Sequence, residues 1–341
     1  MRWAAVIVCA GMAGCTDGAG DDPCGDAPAP AREITCDHPR PYMANFAIKE
    51  VLLPTQRSDL AIDLNGDGLP DNQFGNLIGG LEFQGLDVQN SVDQSVTRGS
   101  LSLLLQLHYS DAAFANDSTP YVEIFVGKGF EGTLDDGGVG CTGCPDFSGK
   151  GTFTIDAAQP LSMFRGRIAD GKFASESPVT TRIPQFQALR LALFPGAPPV
   201  SLFINGAHLQ FTIGGDGTLS GGQLHGSIKN SDVQGVIVPQ LAAALSKAIG
   251  ADACAGAESQ RLAGLFDTGN CTNADGTKAK AGDCRLDPCE IAGNPIFQQQ
   301  LQPDVQIYSD AASTVYAPNP KNTMRDSLSL GIGFTAVSAR F

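Results

Sequence analysis

Short hydrophobic runs bounded by turn residues dominate the chain and predict a mainly β fold. Typical runs are Leu101–Tyr109, Tyr121–Val126 and Leu219–Ile228, each bounded by Gly, Pro, Asn or Asp. The expected fold is an antiparallel sandwich or an open barrel. Further strands are predicted at 45–53, 151–155, 161–168, 188–194, 200–204, 207–213, 305–308 and 328–341.

Helical periodicity replaces the strand pattern in three places. Between residues 72 and 84 the apolar side chains recur at i, i+3, i+4 and i+7, and residues 87–97 carry a second stripe of valines. Residues 231–249 have an apolar position every four residues, and Pro239 among them predicts a kink or a fresh start. We therefore expect about three helices packed on the sheet, within a single β-rich domain at 42–341.

The amino-terminal residues are typical of an export signal. One Arg precedes an apolar run that is too short to span a bilayer, which needs roughly 20 residues. Met12-Ala13-Gly14-Cys15 resembles the bacterial lipobox, with Met where Leu is favoured. The resemblance implies a signal peptide at 1–14 and a lipid on Cys15, the alternative being an ordinary secretory signal. The same resemblance implies the outer membrane or the cell surface, because Thr16 rather than Asp follows the cysteine.

Residues 15–41 are rich in Asp, Gly, Ala and Pro and predict a flexible tether. Apart from Cys9 and Cys15, eight cysteines remain, an even number that predicts four disulfides in an exported chain. Their spacing favours pairing Cys24 with Cys36 and Cys141 with Cys144. Two more bridges are expected in a Cys-rich insertion at 251–295, which contains Cys254, Cys271, Cys284 and Cys289.

Charge narrows the choice of partners. The chain has 36 acidic and 22 basic side chains, a formal net charge of −14. Such a surface repels phosphate backbones, so a nucleic-acid partner is not expected. The expected contacts are a membrane through the lipid anchor and a glycan or protein ligand.

An acidic segment at 63–72 carries the clearest chemical signal. Asp63, Asn65, Asp67 and Asp71 stand at alternate positions, and the carbonyl of Leu69 lies between the last two. Ca²⁺ takes six to eight oxygen ligands, which alternate positions of a tight loop can supply. The segment resembles the calcium loops of EF-hand, dockerin and thrombospondin type 3 proteins. It departs from the EF-hand at position twelve, where Phe74 replaces the bidentate Glu.

A structural Ca²⁺ site is the interpretation that this loop favours. Because Asn, Gly and Asp also favour turns without any metal, a plain turn between a strand and a helix is the alternative.

A hairpin around Asp216-Gly217 predicts a pair of histidines. A two-residue turn there would place Gly215 opposite Thr218 and His208 opposite His225. Two imidazoles at that spacing could share Zn²⁺ or Cu²⁺, or hydrogen-bond a sugar. The alternative is a solvated sheet face with no ligand.

Gly127-Lys128-Gly129-Phe130-Glu131-Gly132 matches a nucleotide-binding glycine pattern, but no helical pattern follows it, so a loop is predicted. The sequence as a whole favours a calcium-stabilised cell-surface lipoprotein with a binding or structural domain, for example for adhesion to a glycan or protein. The rival interpretation is a calcium-stabilised secreted hydrolase with an unrecognised carboxylate or histidine site.

Overall fold

Eight antiparallel strands close into a β-barrel. The computed structural model describes residues 41–131, 144–159, 161–176, 185–191, 200–250, 254–308, 318 and 324–341. The strands are β1 (Tyr42–Leu52), β2 (Leu103–Tyr109), β3 (Asn116–Asp117), β4 (Tyr121–Glu131), β5 (Thr152–Ile155), β6 (Ser162–Ala169), β7 (Lys172–Ser175), β8 (Gln185–Leu191), β9 (Val200–Ile213), β10 (Thr218–Lys229) and β11 (Ser327–Ser338).

The barrel order is β6-β7-β9-β10-β11-β1-β2-β4, and pairing of β4 with β6 closes it. Strands β3, β5 and β8 extend the sheet at β6, β4 and β9. This confirms the predicted mainly β, antiparallel fold, and the barrel is closed rather than open.

Apolar side chains fill the lumen. They come from alternate positions of six strands, because successive side chains of a strand point to opposite faces. The space left among them is about 10 Å³, no more than one water molecule needs. The lining residues are Ile48, Val51, Leu103, Leu105, Ile124, Leu209, Leu224, Ile332 and Phe334.

The helices share this core with the barrel. Predicted helical stripes form α1 (Gln73–Phe83) and α2 (Val88–Thr97), whose buried faces belong to the same hydrophobic cluster as the lumen. The third predicted helix is α3 (Asn230–Asp232), a π-helical turn (Val233–Ile237) and α4 (Val238–Gly250) in succession. Pro239 is the second residue of α4, which fits the fresh start predicted there.

Some predicted elements differ from the observed ones. Strand β9 runs unbroken where two strands were expected, and β7 was not predicted. Val305 makes an isolated bridge to Ser327 rather than a strand. The glycine pattern from Gly127 to Glu131 lies in β4, so the loop prediction is wrong there. Additional helices are α5 (Ala257–Phe266), α6 (Pro288–Gly293) and α7 (Pro295–Gln300).

Two disulfides hold the Cys-rich insertion. Cys254 bonds to Cys284, and Cys271 bonds to Cys289, which confirms two bridges in this segment. Cys144 is also disulfide-bonded, and its predicted partner Cys141 lies outside the described residues. The signal peptide, the tether, Cys15, Cys24 and Cys36 lie outside them as well.

No helix within the described ranges is both long and apolar enough to cross a membrane.

Candidate metal centre

Side-chain oxygens organise the acidic loop between β1 and α1. The Asp63 carboxylate accepts hydrogen bonds from the backbone amides of Gly66, Asp67 and Gly68, at 2.7, 3.1 and 2.8 Å. Gly66 and Gly68 have φ values of +80° and +83°, a conformation that favours glycine. The alternation of acidic residues with glycine therefore bends the chain around the Asp63 side chain.

This bend brings three carboxylates together. One oxygen from each of Asp63, Asp67 and Asp71 lies within 4.8 Å of the others, so the group could hold a metal ion. Asn65 also belongs to the loop, and its amide donates to an Asp67 oxygen at 3.2 Å. Position twelve is Phe74, fully buried in α1, so no carboxylate reaches the site from there.

Asp71 is the buried member of the group. Its pKa is raised from 3.8 to about 6, chiefly by burial and also by the negative charges of Asp304 and Asp67. A hydrogen bond from the Leu64 amide at 3.2 Å and the Arg57 guanidinium at 3.4 Å act in the opposite direction. The negative charge of Asp71 therefore lowers the stability of the folded protein, as expected where a cation is to bind.

Arg57 and Asp304 complete the electrostatics of the site. The Arg57 guanidinium lies 3.3 Å from an Asp304 oxygen as well as near Asp71. Asp304 accepts hydrogen bonds from the amide and hydroxyl of Ser329 in β11, at 2.8 and 2.6 Å. Both charges were missed from the sequence, because Asp304 is 247 residues from Arg57 and no local pattern connects them.

The loop is fixed to the barrel on two sides. On one side Leu64 packs into a small cluster with Val305, Ile307 and Tyr308. On the other, Asn72 exchanges two hydrogen bonds of 3.0 Å with the backbone of Gly331 in β11. A side chain at Gly331 would overlap the Leu60 carbonyl, so glycine is required for this close approach.

The predicted histidine pair forms, but by a different route. His208 lies opposite His225 in the β9–β10 ladder, and Gln210 lies opposite Gln223. The turn has three residues, so Gly214 and not Gly215 faces Thr218, and the predicted two-residue turn is wrong. A β-bulge between Ser220 and Gln223 then shifts the register by one residue and restores the pairing.

His225 is not on a solvated face. It is 1% exposed, and its Nε2 atom has no hydrogen-bond partner in the part of the chain that the structure describes. Burial, followed by the nearby His208, lowers its pKa to about 4, so the ring is neutral at pH 7. Among the described residues the only cluster of three or more metal-ligating side chains is the aspartate group of the loop, so the pair has no third ligand of that kind.

A second polar cluster, not found from the sequence, lies on the outer face of β1, β2 and β4. The His108 Nε2 atom lies 3.0 Å from a Gln106 oxygen and 3.1 Å from a Glu123 oxygen. Gln106 donates in turn to Asn45 at 3.0 Å, and the His108 ring stacks on Tyr121 at 4.2 Å. We refer to these five residues as the outer polar face. Alternation along three strands is the signal that could have located it.

Comparison with known proteins gives no relative. No family model, curated protein or solved structure matches this chain. What the chain does must therefore be inferred from its own geometry.

Proposed function

We propose that this is an exported, lipid-anchored cell-surface protein whose barrel is stabilised by calcium and binds a glycan or protein. The observation that carries the proposal is the convergence of Asp63, Asp67 and Asp71 on one point. A cation bound there would neutralise the carboxylates and strengthen the attachment of the loop to β11. Its role would be structural.

Calcium suits the donors of this site. All the side-chain ligands are oxygens, and Asn65 and the Leu69 carbonyl would add to the three carboxylates. Ca²⁺ accepts such irregular oxygen sets, whereas Mg²⁺ demands near-ideal octahedral geometry. Extracellular loops of this kind bind with dissociation constants of about 10⁻⁴ to 10⁻³ M, which suits environmental calcium.

Calorimetric titration of the full-length protein with CaCl₂, and separately with MgCl₂, tests this assignment. We expect one calcium site in that range and weaker magnesium binding. Asp67→Ala should abolish the calcium isotherm, while Asp59→Asn, nearby but outside the carboxylate group, should retain it. Equal binding of both ions, or binding that survives Asp67→Ala, would contradict the proposed site.

Binding rather than catalysis is supported by where the polar groups lie. The lumen, where a barrel could enclose a reaction, is filled with apolar side chains. The outer polar face presents amide, carboxylate and imidazole groups beside an aromatic ring, a combination that hydrogen-bonds and stacks on sugars or polar peptide surfaces. A hydrolase would need acidic or histidine side chains converging in an enclosed pocket.

Two variants test the surface and the anchor. Gln106→Ala removes the group that connects His108 to Asn45, and it should abolish retention on a glycan array or on captured cell-surface protein. Lys150→Ala, exposed and away from this face, is the matched control.

Labelled palmitate should enter the wild-type protein but not Cys15→Ser. Labelling of the variant would refute the anchor at that residue.

A further inference from the structure

A cavity of about 260 Å³ lies where the chain passes from α2 into β2. The connection between these elements forms one wall, and the far end of β4 with the start of the segment after β5 forms the other. The cavity is separate from the metal centre and from the outer polar face. Its walls include Ser100, Ser102, Leu103, Val126, Lys128 and Asp156.

A β-bulge places Lys128 at this cavity. Gly127 pairs with Ile155 and Gly129 pairs with Thr154, so Lys128 is the extra residue between two paired positions. Bulges redirect a side chain and occur often beside binding sites. Gly127 is needed here because a Cβ at that position would overlap the Ser102 hydroxyl.

Three polar groups at the cavity have unused binding capacity. Ser102 is 7% exposed, and no hydrogen bond joins its hydroxyl to any of the described residues. Lys128 has no ion-pair partner there either. Asp156 uses one carboxylate oxygen to accept the Ala158 amide at 3.2 Å, and no ion pair joins it to Lys128.

Lys128 and Asp156 carry opposite charges at the same cavity and form no ion pair with each other. Together they are therefore complementary to a ligand that carries both charges. We propose that this cavity binds a zwitterion of amino-acid size. The carboxylate of the ligand would contact Lys128 and the Ser102 hydroxyl, and its ammonium group would contact Asp156. Leu103 and Val126 supply an apolar surface for the ligand's side chain. The volume is below that of sites for drug-sized molecules, which suits a small ligand.

Saturation-transfer NMR of the full-length protein with each of the twenty L-amino acids at 10 mM tests the proposal. We expect at least one to bind, and the best binder is then compared with its N-acetyl and its amide derivatives. Each derivative lacks one of the two charges, so each should bind at least tenfold more weakly. Binding of none of the twenty, or equal binding of the derivatives, would overturn the proposal, as would binding of glucose instead.

Charge-removing variants locate the site. Lys128→Met and Asp156→Asn should each weaken binding of the amino acid at least tenfold, whereas Lys150→Met should not. Because Lys128 is exposed, its replacement should leave the circular dichroism spectrum and melting temperature unchanged, which separates lost binding from lost folding. Unchanged affinity in both cavity variants would refute the assignment, and calcium binding would be unaffected by either result.

Discussion

Replacing Asp71 by Asn separates two opposite effects of its carboxylate in the metal centre. The side chain is 1% exposed and close to Asp67 and Asp304, so its negative charge is unfavourable without a cation. Asparagine keeps the shape and can still accept the Leu64 amide, but it carries no charge. We therefore expect Asp71→Asn to stabilise the metal-free protein and to abolish its response to calcium.

The size of the first effect follows from the pKa. A rise from 3.8 to about 6 corresponds to about 3 kcal/mol, at 1.36 kcal/mol per unit. Because the folded-state pKa is raised, this stabilisation of the protonated form is complete below pH 3.8 and is lost as pH rises to 6. The variant should therefore match the wild type near pH 3.5 and exceed it by up to about 3 kcal/mol at pH 7.

Calcium is expected to stabilise the wild type but not the Asn variant. For a dissociation constant of about 1 mM, 10 mM calcium adds about 1.4 kcal/mol to the wild type, and about 2.7 kcal/mol for 0.1 mM. The variant should gain nothing. Calcium affinity of the wild type should also fall below pH 6, because a proton then competes for the same carboxylate.

Urea unfolding followed by far-ultraviolet circular dichroism measures these differences. Tryptophan fluorescence is not suitable, because the single tryptophan of the chain, Trp3, lies in the predicted signal peptide. The full-length protein is compared with its Asn variant at pH 3.5 and 7, in EDTA and in 10 mM calcium. Asp170→Asn, in the exposed turn between β6 and β7, is the matched control. The reasoning fails if Asp71→Asn is no more stable than the wild type in EDTA at pH 7.

Three further predictions concern the barrel and the insertion. In the Asp71→Asn background, acidification from pH 6.5 to 4 should lower the free energy of unfolding by about 3 kcal/mol, because the depressed pKa of His225 favours the neutral ring in the folded state. A free energy of urea unfolding that does not change over this pH range would contradict this. Gly331→Ala should lower stability by about 1–3 kcal/mol by pushing Leu60 off β11, whereas Gly215→Ala, with open space around it, should change the urea midpoint little. Replacing Cys271 and Cys289 by Ser should cost about 3 kcal/mol, and peptide mapping of the unreduced wild type should recover their bridge.

The fold was predictable where one local pattern decides it. The stripe that predicted α1 corresponds to its buried residues, because a helix exposes one face to the core wherever it packs. Barrel closure was not predictable, since the pairing of β4 with β6 depends on the twist and register of all eight strands. The β9–β10 hairpin shows the limit well: the predicted turn and the missed bulge differ by one residue each, and the two errors cancel at His225.

Only those members of the candidate site that are close together in sequence could be predicted. Asp63, Asp67 and Asp71 lie within nine residues, so their spacing alone indicated a common ligand. Arg57 and Asp304 act on the same carboxylate, but Asp304 reaches it only because the segment before β11 lies against the loop. Likewise, the cavity beside Lys128 depends on a bulge in β4, which hydrophobic patterning does not reveal.

The place of β1 in the barrel has a mechanical consequence. Its first residue follows the amino-terminal segment directly, and it is paired on one side with β2 and on the other with β11. If a force is applied along β1 at its amino-terminal end, the hydrogen bonds of both ladders are loaded together in shear instead of opening one after another. Unfolding that begins at this end would then require the hydrogen bonds to β2 and to β11 to break together.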